Sequence, residues 1–253
     1  MKLETEEVQL EAVKQNGFAI LHIKNLSEIV QLESVKEYGC VIEFIENPSE
    51  EVKLAAVKQS GLAIEYIKNP SEEVQLEAVK QNRFAIGHIE NPSEVVQLEA
   101  IRGQCVAWAS HPRNKYESIF VIEQIKNSTE KVQLEAVKIS GYILQFIKNP
   151  SEEVQLEAVK QNGYAIQFIK NPSETIKLAA VKQSGHAIKH IKRQSKEVKL
   201  EAVKQNSSAI MWIANPNENI QLEAVRADAH NIGYIKNPTK KVKSLISLMN
   251  LLA

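Results

Sequence analysis

Asn149-Pro-Ser-Glu-Glu-Val-Gln-Leu-Glu-Ala-Val-Lys-Gln-Asn-Gly-Tyr-Ala-Ile-Gln-Phe-Ile169 is the stretch from which nearly the whole chain is copied. Each copy has a Val or Ile at the place of Val154: Val8, Val30, Val52, Val74, Val96, Val132, Val154, Ile176, Val198, Ile220 and Val242. The interval is 22 residues, except for the 36 between Val96 and Val132. There are thus eleven copies, the last truncated, and the fifth carries 14 extra residues. Repetition at a short fixed period signals a stack of small units, and it overrides the one or two domains that 253 residues would otherwise suggest.

Within the unit, Asn149 reads as a helix N-cap, with Pro150 at the first helical position and Glu152 as the acid of a capping box. The helix continues through Val154, Leu156, Ala158 and Val159 to about Asn162, where Gly163 reads as a left-handed terminator. On a helical wheel Val154 and Ala158 fall on one flank and Leu156 and Val159 on the other, so the helix needs neighbours on both sides. Glu157 and Lys160 share the remaining face as a solvated ion pair. The basic member recurs as Lys14, Lys36, Lys58, Lys80, Arg102, Lys138, Lys160, Lys182, Lys204 and Arg226. That column is either a solubility face inherited by duplication or a cationic ridge. The run Tyr164–Ile169 is long enough only for a short helix or 3₁₀ turn, with Ile166 and Ile169 in core columns. Two layers follow, and the expected architecture is an all-α, right-handed solenoid of about eleven repeats spanning residues 1–253.

The Ala-Val-Lys-Gln-Asn-Gly-x-Ala-Ile core, seen at Ala158–Ile166 and in part at Ala78–Asn82, resembles the short repeats of unknown function of DUF4116 type found in bacteria and large DNA viruses. The pairing of a long with a short helix is also similar to leucine-rich-variant repeats, which are HEAT-like right-handed solenoids. The resemblance covers the chain outside the insertion. It implies an interaction role, is compatible with a phage, viral or mobile-element origin, and supplies no catalytic residues.

Composition narrows the field. Lys+Arg and Asp+Glu balance at 31 each, so no global field draws in nucleic acid or an acidic membrane. Asp228 is the only aspartate, which removes the residue most used for Mg²⁺ and phosphoryl chemistry. No apolar run approaches the roughly 20 residues of a membrane span. The acidic start, Met1-Lys-Leu-Glu-Thr-Glu-Glu, does not read as a signal peptide. Cys40 falls in a core column and Cys105 three repeats later, so no disulfide is expected and a reducing cytoplasm is (the host's, if the protein is viral). No nucleotide-binding, zinc-protease or serine-hydrolase motif is present, and neither a cofactor nor a metal is expected.

Function is expected where the unit is broken. The insertion, residues 105–118, holds Trp108, His111, Arg113, Lys115 and Tyr116, the residue types of binding hot spots. The alternative is a plug, with Trp108 folded over the stack. Were the insertion catalytic, Cys105 and His111 would be the pair, without an orienting acid. A second break puts Lys189, Lys192, Arg193, Lys196 and Lys199 in one segment, either a phosphate- or acid-binding patch or a decayed cap. His186 and His190 stand four apart, a metal-ligating spacing, but both occupy aromatic columns and read as aromatic substitutes.

The column His22, Phe44, Tyr66, His88, Phe146, Phe168, His190, Trp212 and Tyr234, with Gln124 its exception, reads as core, although stacked aromatics can also bind single-stranded nucleic acid. The column one residue earlier varies freely and should be exposed. Residues 240–253 read as a capping helix, or as a homodimer contact through Leu245, Ile246, Met249 and Leu252. The expected function is a non-enzymatic scaffold or inhibitor that binds a protein. The alternatives are a nucleic-acid binder using residues 182–204 and, more remotely, an enzyme centred on the insertion.

Overall fold

The computed structural model describes residues 5–103 and 115–252, and among these every element is helical. The helices are α1 (Glu6–Gln15), α2 (Glu28–Glu37), α3 (Glu50–Gln59), α4 (Glu72–Gln81), α5 (Glu94–Arg102), α6 (Lys115–Gln124), α7 (Glu130–Ile139), α8 (Glu152–Gln161), α9 (Glu174–Gln183), α10 (Lys196–Gln205), α11 (Glu218–Ala227) and α12 (Lys240–Leu252). Between most of them lies a six-residue 3₁₀ turn such as Gly163–Phe168. This is the two-layer α-solenoid pattern that the 22-residue period predicts. The chain forms two compact units, residues 1–135 and 136–253, with the boundary inside α7. In each unit successive long helices pack on one another and successive 3₁₀ turns pack alongside them.

The core columns are those of the wheel. In α8, Val154, Ala158 and Val159 are 0% exposed, and Ile166 of the following turn is 1% exposed. Burying each Val or Ile contributes about 1.5–3 kcal/mol. Such a unit cannot hide these residues alone, because both flanks of the helix are apolar.

The helix start differs from the sequence reading. Ser151, not Asn149, is the N-cap: its Oγ accepts the Val154 N–H at 3.3 Å, and α8 begins at Glu152. Asn149 lies two residues upstream with φ 51°, a left-handed turn that Asn tolerates better than most residues, and Pro150 is outside the helix. A cap in this register recurs for all eleven marker residues, from Thr5 with Val8 to Thr239 with Val242. The marker is the third helical residue of each copy, and each cap is worth about 1 kcal/mol.

Gly163 also departs from expectation, since no glycine has positive φ. A Cβ at Gly163 would stand 2.4 Å from the Ala180 carbonyl oxygen of α9. The glycine exists so that each turn can press against the next long helix. Its N–H is then held by the next repeat: Gln183 Oε1 accepts from Gly163 N at 2.7 Å. The same latch joins Gly39 to Gln59, Gly61 to Gln81, Gly141 to Gln161 and Gly185 to Gln205.

A second latch joins neighbouring repeats at the opposite end of the long helix. The first-turn glutamate accepts the hydroxyl of the next repeat's cap, as in Glu6 with Ser27, Glu50 with Ser71 and Glu72 with Ser93. Glu94 takes Thr129 in the same way at 2.7 Å. Hydrogen bonding holds these carboxyls down: Thr129 foremost, then Lys131, for Glu94; Ser195 for Glu174; Lys241, then Thr239, for Glu218. A depressed folded pKa stabilises the fold above the ordinary value of 4.5, and the contribution is lost as pH falls through the depressed value. The urea midpoints of wild type and Glu174→Gln should therefore differ most above the ordinary carboxylate range and converge as pH falls through the depressed value. A difference independent of pH would remove this latch.

The fifth repeat is built differently. Its short segment is the end of an α-helix, α6, which starts at Lys115 inside the insertion. Cys40 is exposed rather than core, because its column faces outward beside Phe18 and Leu62, themselves 41% and 39% exposed. In α12, Val242 is buried and Leu245, Ile246 and Met249 half-buried, while Leu248 and Leu251 are exposed. No helix among the described residues is long and apolar enough to cross a membrane.

Candidate functional site

The 3₁₀ layer decides which residues are available to a partner. A 3₁₀ helix has about three residues per turn, so Gly163 and Ile166 fall on one inward line and Ile169 continues it. Ala165 is buried as well, whereas Tyr164, Gln167 and Phe168 are half-buried or exposed. The aromatic column is therefore surface, contrary to its sequence reading as core: Phe44 is 44% exposed, Tyr66 39%, Trp212 45% and Tyr234 51%. Phe146, Phe168 and His190 are half-buried. The preceding column is exposed at every described position: Leu21, Glu43, Glu65, Gly87, Glu123, Gln145, Gln167, Lys189, Met211 and Gly233.

Rings on adjacent rungs touch edge to face, with Tyr142 5.9 Å from Phe168 and Tyr164 6.1 Å from His190, centroid to centroid. Each ring is followed by a buried or half-buried Ile in extended conformation and then by a further exposed residue, such as Lys148 after Phe146 and Ile147. Alternation across that extended Ile turns the ring and the later residue to the same side.

Chemistry along this surface differs between the units. In residues 1–135 the short segments carry Glu43, Glu46, Glu65, Glu90 and Glu123 against Lys24, Lys68, Lys126 and the buried Arg83. The Tyr66 hydroxyl is pushed above its ordinary value by the charge of Glu65 foremost and then Glu43, so the acids act on the ring beside them. His88 Nδ1 lies 3.9 Å from Glu65. In residues 136–253 the short segments hold Lys148, Lys170, Lys189, Lys192 and Lys236 and neither Asp nor Glu. His190 is pushed down, by burial first and then by Lys189, which keeps the imidazole neutral near pH 7. The Lys189 ammonium lies 5.2 Å from the Tyr164 ring centroid.

The basic segment is only partly assembled as one patch. Lys192, Arg193 and Lys196 are exposed, whereas Lys199 is half-buried and donates to the Ala214 carbonyl at 3.3 Å. The segment is no decayed cap. Ser195 Oγ accepts from Val198 N at 3.1 Å, and Gln194, in place of proline, donates to the Ile188 and Trp212 carbonyls. His186 Nε2 pairs with Ser208 Oγ at 2.9 Å. Among the described residues no cluster of His, Cys, Asp and Glu could hold a metal ion.

Trp108, His111 and Arg113 lie outside the described residues, as does Cys105. Lys115 and Tyr116 are in the first turn of α6. Beside this helix, Phe84, Gly87, His88, Phe120 and Gln124 line an open hollow of about 470 Å³. Gln124, the exception in the aromatic column, fills the space left by Gly87: a Cβ there would stand 3.0 Å from its Oε1. A larger groove of about 650 Å³ in the other unit is lined by Met211, Trp212, Tyr234, Lys236 and Asn237 among others. The sequence signal for these surfaces is the variable column; the neighbouring aromatic column reads as core from the sequence and instead lies at the surface.

Residues 129–172 match the family described as Domain of unknown function (DUF4116). No curated protein and no solved structure matches the chain.

Proposed function

We propose that this protein is a non-enzymatic scaffold whose 3₁₀ layer binds another macromolecule, and that residues 17–126 take a protein with a basic surface. The observation that carries this reading is the alternation of exposed Phe44 and Tyr66 with Glu43, Glu46 and Glu65 on a rigid repeating support. Aromatic anchors supply desolvated contact area, and charges of mixed sign set orientation and association rate. Partner binding by the inserted residues Trp108, His111, Arg113, Lys115 and Tyr116 is a further part of this proposal. The likeness to leucine-rich-variant and HEAT-like solenoids, the right-handed turn, a cytoplasmic setting and a viral protein that occludes a host factor all belong to this proposal.

The test is affinity capture from native host extract with three baits: wild type, Phe44→Ala/Tyr66→Ala, and a deletion of residues 105–118. The expected result is a protein retained by wild type and reduced at least about tenfold on the double variant. Equal retention by the double variant, with circular dichroism unchanged, removes this surface. Equal retention by the deletion removes the insertion from it.

A further inference from the structure

We infer that the 3₁₀ face of residues 141–236 binds single-stranded nucleic acid, one base to each aromatic rung and one phosphate to each lysine beside it. This is a second surface, independent of the protein contact proposed for the other unit.

Three observations converge on it. First, the five rungs Phe146, Phe168, His190, Trp212 and Tyr234 recur at the 22-residue period, and the last two are about half exposed. Protein rings that stack bases need a free face and tolerate any base, since every base has a π surface. Second, Lys148, Lys170, Lys192 and Lys236 each stand two residues after a ring, across an extended Ile, and are exposed. Lys189 adds a fifth cation. Third, the five short segments of this unit contain no carboxylate, although the chain as a whole is neutral and the equivalent segments of the other unit contain five glutamates.

A polyanion carrying regularly spaced aromatic groups complements this arrangement at every rung except that of Trp212, where Ala214 takes the lysine position. A purely acidic peptide would satisfy the lysines but leave Trp212 and Tyr234 without partners. A duplex would satisfy the phosphate contacts but hide its bases inside the stack. The groove of about 650 Å³ beside Trp212 and Tyr234, with Asn215, Lys236 and Asn237 in its wall, has the volume for an unstacked base. His190 takes its place in the row as a neutral ring near pH 7.

The test is fluorescence anisotropy of the full chain with labelled oligothymidylates of increasing length, in a salt series from about 20 to 200 mM. Affinity is expected to rise with length up to about five nucleotides and then level off, with a log–log salt slope near −3.5, or about −0.7 for each of five lysines. Trp212→Ala should weaken binding about tenfold or more and leave the slope unchanged. Lys148→Gln/Lys170→Gln/Lys192→Gln should flatten the slope by about two. Circular dichroism of both variants checks folding, and Glu43→Gln/Glu65→Gln, on the other unit, should bind as wild type does.

The inference is overturned by no binding at about 20 mM salt, by equal affinity for a duplex of the same length, or by equal loss with poly-glutamate as competitor at matched charge. Loss of binding in the Glu43→Gln/Glu65→Gln variant would place the site on the wrong unit. Protein capture through Phe44 and Tyr66 can fail or succeed independently of all these outcomes.

Discussion

Alanine in place of Gly163 is expected to destabilise the protein by about 1–3 kcal/mol, and valine by more. The new Cβ would meet the Ala180 carbonyl oxygen at 2.4 Å and Gln183 Oε1 at 3.0 Å. The nearer atom is backbone, so relief requires the turn to move away from α9. That movement stretches the 2.7 Å bond from Gly163 N to Gln183 and loosens the packing of Ile166. Gly233 is the internal control. It belongs to the same unit, its added Cβ would meet nothing within 4 Å, and Gly233→Ala should be neutral or stabilise by up to about 1 kcal/mol. Urea midpoints of the two variants decide the matter. Similar values would mean that the recurring glycine is a relic of duplication and not a requirement of close packing.

The second large effect concerns the fourth repeat, one of those in which that glycine is replaced, as it also is by Ser207 and Ala229. Arg83 stands at the glycine position of the fourth repeat, and Gly103 stands where the latching glutamine of the fifth would be. The two exchanges compensate each other. With no glutamine side chain at 103, the Arg83 side chain enters the interface, is only 5% exposed, and donates from Nε to the Ala100 carbonyl at 3.1 Å and from Nη2 to the Ile101 carbonyl at 2.7 Å. A cation at the C-terminal carbonyls of α5 is also favoured by the helix dipole.

Arg83→Ala should cost about 2–4 kcal/mol, because it leaves a cavity and strips buried carbonyls of their donors. Arg83→Gly alone should cost at least as much. Arg83→Gly combined with Gly103→Gln rebuilds the latch of the other repeats and should recover most of the loss, with a coupling energy of at least about 1 kcal/mol. Additive effects in this double-mutant cycle would show that the two positions are not exchanging one role.

The period, both layers and the buried columns were legible because they depend only on spacing: Val154, Ala158, Val159 and Ile166 recur and all are buried. Three local details were not. Asn149 and Ser151 are equally good caps by composition, and the left-handed backbone at Asn149 that assigns the role to Ser151 leaves no mark in the residue types. A glycine after a helix usually marks positive φ, but Gly163 is required by a carbonyl on the next repeat, which spacing within one unit does not reveal. The aromatic column reads as core because aromatics recurring on an inner helical face usually pack inside. The three-residue period of the 3₁₀ turn instead aligns Gly163 with Ile166 and releases Phe168 to the surface. That placement turned nine expected core residues into the candidate binding surface.

The two latches have a consequence for how such a gene can change. Each joins a repeat only to the next one, Gly163 to Gln183 or Glu94 to Thr129, and none reaches further along the chain. A whole 22-residue block can therefore be excised or inserted with both junctions remade by the same bonds. Residues 69–82 and 149–162 are identical, so an exchange between these copies leaves the encoded unit intact. Within the lysine-bearing segments, such an event would lengthen or shorten the nucleic-acid footprint by one rung at a time.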